Sequence, residues 1–300
     1  PTDKRHKSEF IVPDNYDMGA SQGELVRAEV IPGKHMGLRQ VKIIKRLGNA
    51  DGETNISAIT IHENRIPDTF SKESLADADA ADEAPLEGRI DLRGIPFITI
   101  DGADARDFDD AVWSEPDPNV SGGWHIMVAI ADVSWYVRPG SPLDRDARER
   151  GNSVYFPDRV VPMIPEALSN GLCSLRPGEN RPCIAVHMWI MPDGQLTRHT
   201  FVRGLIKSAA RLTYSEVQAA HDGRPNDQTA PLTATVIKPL YGAFETLLKS
   251  RNRRNPLELD VPERHIAMTD DGTVRTILER ERLDSHRLIE EFMINANVAA

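Results

Sequence analysis

Between Glu9 and Gly48 the chain alternates apolar with charged residues along GELVRAEVIPG and LRQVKIIKRLG, and Gly and Pro break both runs. A period of two punctuated by turn residues is the pattern of β-strands, so these residues predict part of a small β-barrel. The span ETNISAITIHENRIP predicts one short helix. The Ala/Asp/Glu-rich SKESLADADAADEAP after it reads as a solvated connector, and the domain boundary is placed there. From Arg89 onward the apolar runs become rich in β-branched residues: IPFITI, WHIMVAIADV and IAVHMWIM, the last joined through PDGQ to LTRHTFVRGLI. These are expected to be sheet strands, the final two a hairpin. Helical patterns alternate with them at SPLDRDARER, PMIPEALSNGL, TYSEVQAAH, TATVIKPLYGAFETLLKSRNRR and RERLDSHRLIEEFMINANVAA. The expectation is an α+β fold in three parts: β-rich residues 1–50, a helix and acidic connector over 51–88, and a mixed sheet with surrounding helices over 89–300.

Composition changes this picture in two places. At 40% hydrophobic and 27% charged residues the chain has apolar mass for one large core plus a small module. A net charge of −10 argues against a general polyanion binder, yet position matters more than the total. Residues 1–48 carry nine Lys/Arg against six Asp/Glu, whereas residues 51–90 carry three against ten. A basic head therefore precedes an acidic connector. Cys173 and Cys183 form neither a C-x-x-C pair nor a disulfide framework, which fits a reducing compartment and two buried thiols. There is no run of about 18 apolar residues for a membrane span, and PTDKRHKSEF is charged where a signal peptide needs an apolar run, so a cytoplasmic location is expected. The first residue is not Met and the last helical pattern has no stop signal, so a fragment is expected.

The candidate chemistry lies in ITIDGADARDFDDAVW, where an apolar strand ends at Asp101 and four more Asp follow within nine positions. Carboxylates this close repel, and the cluster needs either shared protons or bound cations. Hard divalent ions such as Mg²⁺ take oxygen ligands and bind through a few carboxylates together with substrate phosphate, which is the inventory of a phosphodiester hydrolase. In an extended segment Asp107 and Asp109 project to one side and Asp110 to the other, so a turn or bulge is implied. Turn formation and helix capping on a solvated loop remain the alternative. A calcium-binding D-x-[DN]-x-[DN]-G-x₅-E spacing is absent. Asp104, beside Gly102, reads as a turn residue.

The same segment, with VAIADVSWYVRPGSPLDRDARERGNSVYFPDRVVPMIPEALSNGLCSLRP, GLIKSAARLTYSEV and SHRLIEEFMINANVAA, resembles the ribonuclease II family and its RNB catalytic domain over about two hundred residues. Residues 8–48 are similar to the end of the family's cold-shock, oligonucleotide-binding-type barrel. The resemblance implies a metal-dependent 3'→5' exoribonuclease that degrades single-stranded RNA processively from its 3' end to nucleoside 5'-monophosphates, and a monomer is expected. Mg²⁺ is the implied cofactor, with Mn²⁺ as the alternative. Asp101, Asp107, Asp109 and Asp110 match the family's essential aspartates, as metal ligands and catalytic groups. Tyr155 matches the aromatic that stacks on the terminal base, Tyr214 a further aromatic of the RNA path, and Glu290 an acidic residue near the terminal nucleotide, with Glu291 adjacent. Two departures follow. NPLELDVPERHIAM has no aromatic where the family often places a clamp, and the family's arginine-bearing segment and S1 domain would lie beyond Ala300.

Other readings stay open at this point. Tyr155, flanked by Val154, Phe156 and Pro157, is in a setting where aromatics ordinarily pack. Arg203, Lys207, Arg211 and the run KSRNRR either track a phosphate backbone or solvate the ends of strands and helices. His125, His187 and His199 lack H-E-x-x-H spacing, and no G-x-S-x-G elbow or phosphate-binding glycine loop occurs. The rivals to a nuclease are a non-catalytic RNA-binding protein on the same fold and a phosphatase with an Asp-rich metal loop.

Overall fold

The computed structural model describes residues 8–49, 54–254, 264–269, 274–279 and 281–300. The chain opens with strands β1 (Phe10–Ile11), β2 (Glu24–His35) and β3 (Leu38–Asn49), then helices α1 (Thr54–Glu63) and α2 (Lys72–Asp79). Strands β4 (Ile90–Asp91), β5 (Ile98–Asp101), β6 (Asp110–Pro116) and β7 (Trp124–Ala131) follow, then α3 (Pro142–Arg150), β8 (Val154–Tyr155) and β9 (Val160–Val161). Next come β10 (Asn180–Ile190), β11 (Leu196–Lys207), β12 (Ala210–Thr213), α4 (Tyr214–His221), α5 (Ala230–Leu232) and α6 (Lys238–Arg253). A hairpin of β13 (Arg264–Met268) and β14 (Val274–Glu279) leads to α7 (Asp284–Ala299). The chain divides into two compact units. One holds residues 1–70, 147–163 and 262–280, and the other holds 71–146, 164–261 and 281–300.

In the first unit β2 and β3 form an antiparallel hairpin, and β1 joins β3 in parallel. The hairpin turns at Met36 and Gly37, both with positive φ (49° and 82°), the backbone of the tight turns that match strand twist. Its register shifts at three places, including the Pro32–Gly33 interruption, and bulges of this kind bend a sheet toward the curl of a barrel. Val41 and Ile43 are the buried positions of β3.

The second unit is built on a seven-stranded mixed sheet in the order β12-β5-β6-β7-β10-β11-β4. Its two outer pairs, β12 with β5 and β11 with β4, are parallel, and the inner pairs are antiparallel. The expected α+β class and the PDGQ hairpin are therefore found. Alternate residues of each strand, such as Ile98, Ile100, Val112, Ile126, Val128, Val186 and Met188, bury against α4, α6 and α7 through Val217, Leu240, Phe244, Leu288 and Phe292. Gly242 lets α6 come down on the sheet, because a Cβ there would fall 2.5 Å from the Trp124 ring. The helical stretch into α6 widens to a π-turn at Thr233–Ile237, just ahead of Pro239, which has no N–H to donate.

The stretch read as a solvated connector needs correction. Ser71 caps α2 by accepting from the Ser74 N–H at 3.2 Å, and Asp146 accepts from the Ser71 N–H at 2.9 Å, with Ser74 and Ala78 buried. Ala and Asp composition described its outer face correctly, but the cap and the small buried face make it part of the folded unit. Among the described residues no helix is long and apolar enough to cross a membrane.

A buried ion pair ties the far strands together. Arg89, beside β4, meets Asp132, at the end of β7, at 2.9 Å with both side chains almost fully buried, and Arg203 of β11 approaches the same carboxylate at 2.9 Å. Burial opposes ionisation of Asp132, but hydrogen bonds from Ser134, Arg89 and Arg203 outweigh it and hold the carboxyl below its usual range. Removing one partner of such a pair strands the other charge, at about 3–5 kcal/mol. Asp132→Asn is expected to lower stability by that order in chemical denaturation. A depressed carboxyl pKa contributes stability that is present above the unfolded value near 3.8 and is lost as pH falls through the folded value. The gap between wild type and variant should therefore be constant at neutral pH and shrink below about pH 4. A gap independent of pH down to acid unfolding would contradict this assignment.

Candidate active site

The acidic cluster forms where two strands of the second unit begin and end. Antiparallel pairing of Ile98 with Val112 sets β5 and β6 side by side, so the last residue of β5, Asp101, and the first of β6, Asp110, come to one end of the sheet. The intervening loop turns at Gly102–Ala105, where the Ala105 N–H donates to the Gly102 carbonyl at 3.2 Å, with Asp104 exposed within the turn. The Gly102 N–H donates to Asp101 Oδ1 at 2.6 Å. The turn implied beside Asp110 is not found there: residues 105–109 run without a turn into β6, with the Ala131 N–H donating to the Asp109 carbonyl at 2.8 Å, and the loop turns earlier, at Gly102–Ala105.

Charge is the property the four share. Burial, then the charges of Asp107 and Asp101, push Asp109 up to about 6. Burial, then the charges of Asp101 and Asp109, push Asp110 up to about 6 as well. Asp109 is open to solvent on one side, so water offsets part of its burial. Asp110 is more enclosed, and its Oδ2 is buried without a hydrogen-bond partner. The tertiary structure therefore brings Asp101, Asp107, Asp109 and Asp110 together as a repelling set. Among the described residues, no three His, Cys, Asp or Glu side chains are placed as a group that could hold a metal ion between them. What fits a cation is narrower: the orphaned buried Asp110 Oδ2, beside the raised Asp109, is an oxygen donor of the kind Mg²⁺ takes when it binds through few carboxylates and keeps several waters.

The loop is anchored from below by Phe108, the one large apolar residue among the acids, which is 6% exposed. Its N–H donates to Ser174 Oγ at 3.1 Å, its carbonyl accepts from the Leu175 N–H at 2.8 Å, and Ser174 Oγ in turn donates to the Arg106 carbonyl at 3.1 Å. Sequence reading missed Ser174 and Phe108. A phenylalanine between Asp107 and Asp109 was the available signal, because a freely solvated loop has no use for it.

The other predicted residues are placed as follows. Tyr155 lies in the first unit, on β8 opposite Val160, and is 64% exposed. Packing is therefore not what occupies most of its surface. Tyr214 opens α4 behind a capping box of Thr213 and Glu216, and its ring stacks on His286 with centroids 4.0 Å apart, so one face is taken by protein. Glu290 lies at the surface and pairs with Arg282 at 2.6 Å. Glu291 is buried and pairs with Arg251, which separates the two neighbours into a surface acid and a fold-holding one.

Several cations left open by the sequence are committed to the fold. Arg203 serves Asp132, Arg251 serves Glu291, and Arg253 donates to the Asp193 carbonyl. The strand histidines hold each other. His125 Nε2 and His187 Nδ1 are 3.1 Å apart, and Trp189 stacks on His125 at 4.7 Å with Arg198 over its ring at 3.6 Å.

Comparison with known proteins places this geometry in context. The RNB domain model matches residues 89–300 and a cold-shock domain model matches residues 1–71. Ribonuclease R of Escherichia coli K12 is 40% identical over all of this chain, which spans 37% of that protein's length. The solved structure of Mycoplasma genitalium RNase R in complex with ribose-methylated single-stranded RNA superposes with a TM-score of 0.86 at 24% identity, over 97% of this chain and 46% of that one. Yeast Ssd1, described as a pseudonuclease, shares the fold more distantly, with a TM-score of 0.66 at 15% identity over 100% of this chain and 38% of its own. With the family model covering the entire second unit from β4 onward and both ends of the acidic loop, the chain belongs to the RNB domain family.

Proposed function

We propose that this chain carries the catalytic centre of a metal-dependent exoribonuclease that hydrolyses single-stranded RNA from its 3' end, processively, to nucleoside 5'-monophosphates. The observation that carries the reading is the meeting of Asp101, Asp107, Asp109 and Asp110 at one end of the β5–β6 pair, with Asp109 and Asp110 both held above the ordinary carboxylate range. The RNase R relatives support RNA as the substrate. A shared fold does not decide activity, as the pseudonuclease neighbour illustrates, and the intact set of four carboxylates is what favours catalysis over binding alone. A monomer in the cytoplasm completes the proposal.

The four aspartates would hold Mg²⁺, or alternatively Mn²⁺. When bound, the ion supplies a counter-charge for the carboxylates, activates a water and stabilises the leaving oxygen of an in-line displacement. The chain's own part is to present oxygen donors at the ends of β5 and β6 and in the loop between them, and to keep Asp109 and Asp110 poised to lose their protons near neutral pH. Tyr155 offers an exposed ring on which a base can stack, an interaction of about 1–3 kcal/mol per base. Glu290 is the available surface acid for the terminal nucleotide.

Three outcomes test the reading. First, Asp109→Asn should abolish shortening of 5'-labelled RNA while leaving binding within a few-fold, and near-normal turnover would refute the assignment. Second, a carboxyl whose folded pKa is raised costs stability as pH rises from about 3.8 towards 6. In metal-free buffer at pH 8, Asp109→Asn is therefore expected to melt at or above the wild-type temperature, and Mg²⁺ should raise the wild-type Tm more at pH 8 than at pH 5. Equal Mg²⁺ shifts at both pH values would count against carboxylate ligation. Third, Tyr155→Ala is expected to alter the length of the final oligonucleotide more than the rate of cleavage, and an unchanged end product argues against stacking.

A further inference from the structure

Arg211 has no place in the reading above beyond an open question about phosphate, yet its guanidinium is already occupied. It lies on β12, paired in parallel with β5 so that Arg211 stands opposite Thr99 and Thr213 opposite Asp101. From there Nη2 donates to the carbonyls of both Ala103 (2.9 Å) and Ala105 (3.0 Å), the residues either side of Asp104 in the turn of the acidic loop. The same guanidinium lies 4.7 Å from the centre of the Phe108 ring, and the Arg211 carbonyl accepts from Gln228 Nε2 at 2.8 Å. The arginine thus touches the loop at its turn and at its apolar anchor, while its own backbone is held from the segment ahead of α5.

We infer that Arg211 is a positioning residue for the catalytic aspartates: by gripping the Ala103 and Ala105 carbonyls and covering Phe108, it holds residues 102–109 so that Asp107 and Asp109 stay close to Asp101 and Asp110. The physical need is clear. Four carboxylates repel one another, and a loop that carries two of them will swing outward unless something neutral or positive restrains its backbone. A planar guanidinium fits the task because Nη2 alone donates to both carbonyls while the flat face of the group lies over an aromatic ring, and a lysine ammonium can donate but has no such face to lay on Phe108. These contacts are to the loop backbone and to Phe108, so the role assigned to Arg211 is exercised through the loop.

The inference rests on the proposed exoribonuclease reading, and the test separates the two. In the full-length protein that carries this chain, Arg211→Ala and Arg211→Lys would be compared with wild type and with Asp109→Asn by three measurements. These are the Mg²⁺ concentration giving half-maximal thermal stabilisation without RNA, the Kd for a single-stranded RNA in EDTA, and kcat and KM for 3' shortening. Supports of metal ligands typically matter by 10–100-fold in affinity or activity. Arg211→Ala is expected to raise the Mg²⁺ midpoint by about tenfold or more and to lower kcat similarly, with Kd for RNA within about threefold, and Arg211→Lys should recover less than half of the loss on a logarithmic scale. Arg211→Lys serves as the readout should the alanine variant fold poorly. An unchanged Mg²⁺ midpoint and kcat in both variants overturns the inference, as does a loss confined to RNA affinity, which would make Arg211 a phosphate contact. If Asp109→Asn stays active, the exoribonuclease assignment of the loop fails, whereas the Mg²⁺ midpoint still reports on the clamp by itself.

Discussion

Mutual repulsion among carboxylates governs how the second unit is put together. Four aspartates gathered at one end of a sheet are held apart by nothing of their own, so the scaffold must supply the restraint that the charges oppose. The sheet does this from beneath, because Ile98, Ile100 and Val112 bury the strands that end in Asp101 and begin with Asp110. The loop between them is restrained at separate points: the Phe108 side chain in the core, Ser174 on backbone either side of Asp107, and Arg211 on the turn. Each restraint is neutral or positive. The result is that burial and neighbouring carboxylates together raise Asp109 and Asp110 above the ordinary carboxylate range.

Charges elsewhere in the unit follow the opposite logic. Arg89 with Asp132, and Arg251 with Glu291, are taken out of water with a partner in place. These pairs join elements far apart in sequence, the start of β4 to the end of β7 and the end of α6 to the middle of α7. An ion pair buried in this way adds little net energy over an apolar contact, but it penalises any register that leaves one member unpaired. The contrast bears on the proposed function: the fold pairs carboxylates where it needs permanence and holds Asp109 and Asp110 above the ordinary carboxylate range where the proposal puts a cation.

Seen this way, basic residues divide by what they already hold. Arg203 and Arg251 looked in the sequence like surface cations, and both are bound to buried carboxylates. Arg211 looked the same and is bound to backbone carbonyls of the acidic loop. Glu290 and Glu291, adjacent and indistinguishable in the sequence, lie on different sides of α7. One pairs at the surface with Arg282 and the other in the interior with Arg251.

The sequence by itself determined the strands and most helices of the second unit, because period-two runs such as WHIMVAIADV and the helical spacing of α6 and α7 encode which faces are apolar. It also put the candidate chemistry on view, since five aspartates within ten residues at a strand end call for protons or cations unless they only shape a solvated loop. It misread residues 72–79, because an Ala/Asp-rich surface helix and a solvated connector share a composition and differ only in a cap and two small buried residues. What only the tertiary structure decided is which charges are spent on one another. Pairing of Arg89 with Asp132, seating of Phe108 against Ser174, and the reach of Arg211 to Ala103 all cross more than forty residues of chain. Local pattern carries no record of such partners, since burial and direction at each end are set by the packing of the whole sheet.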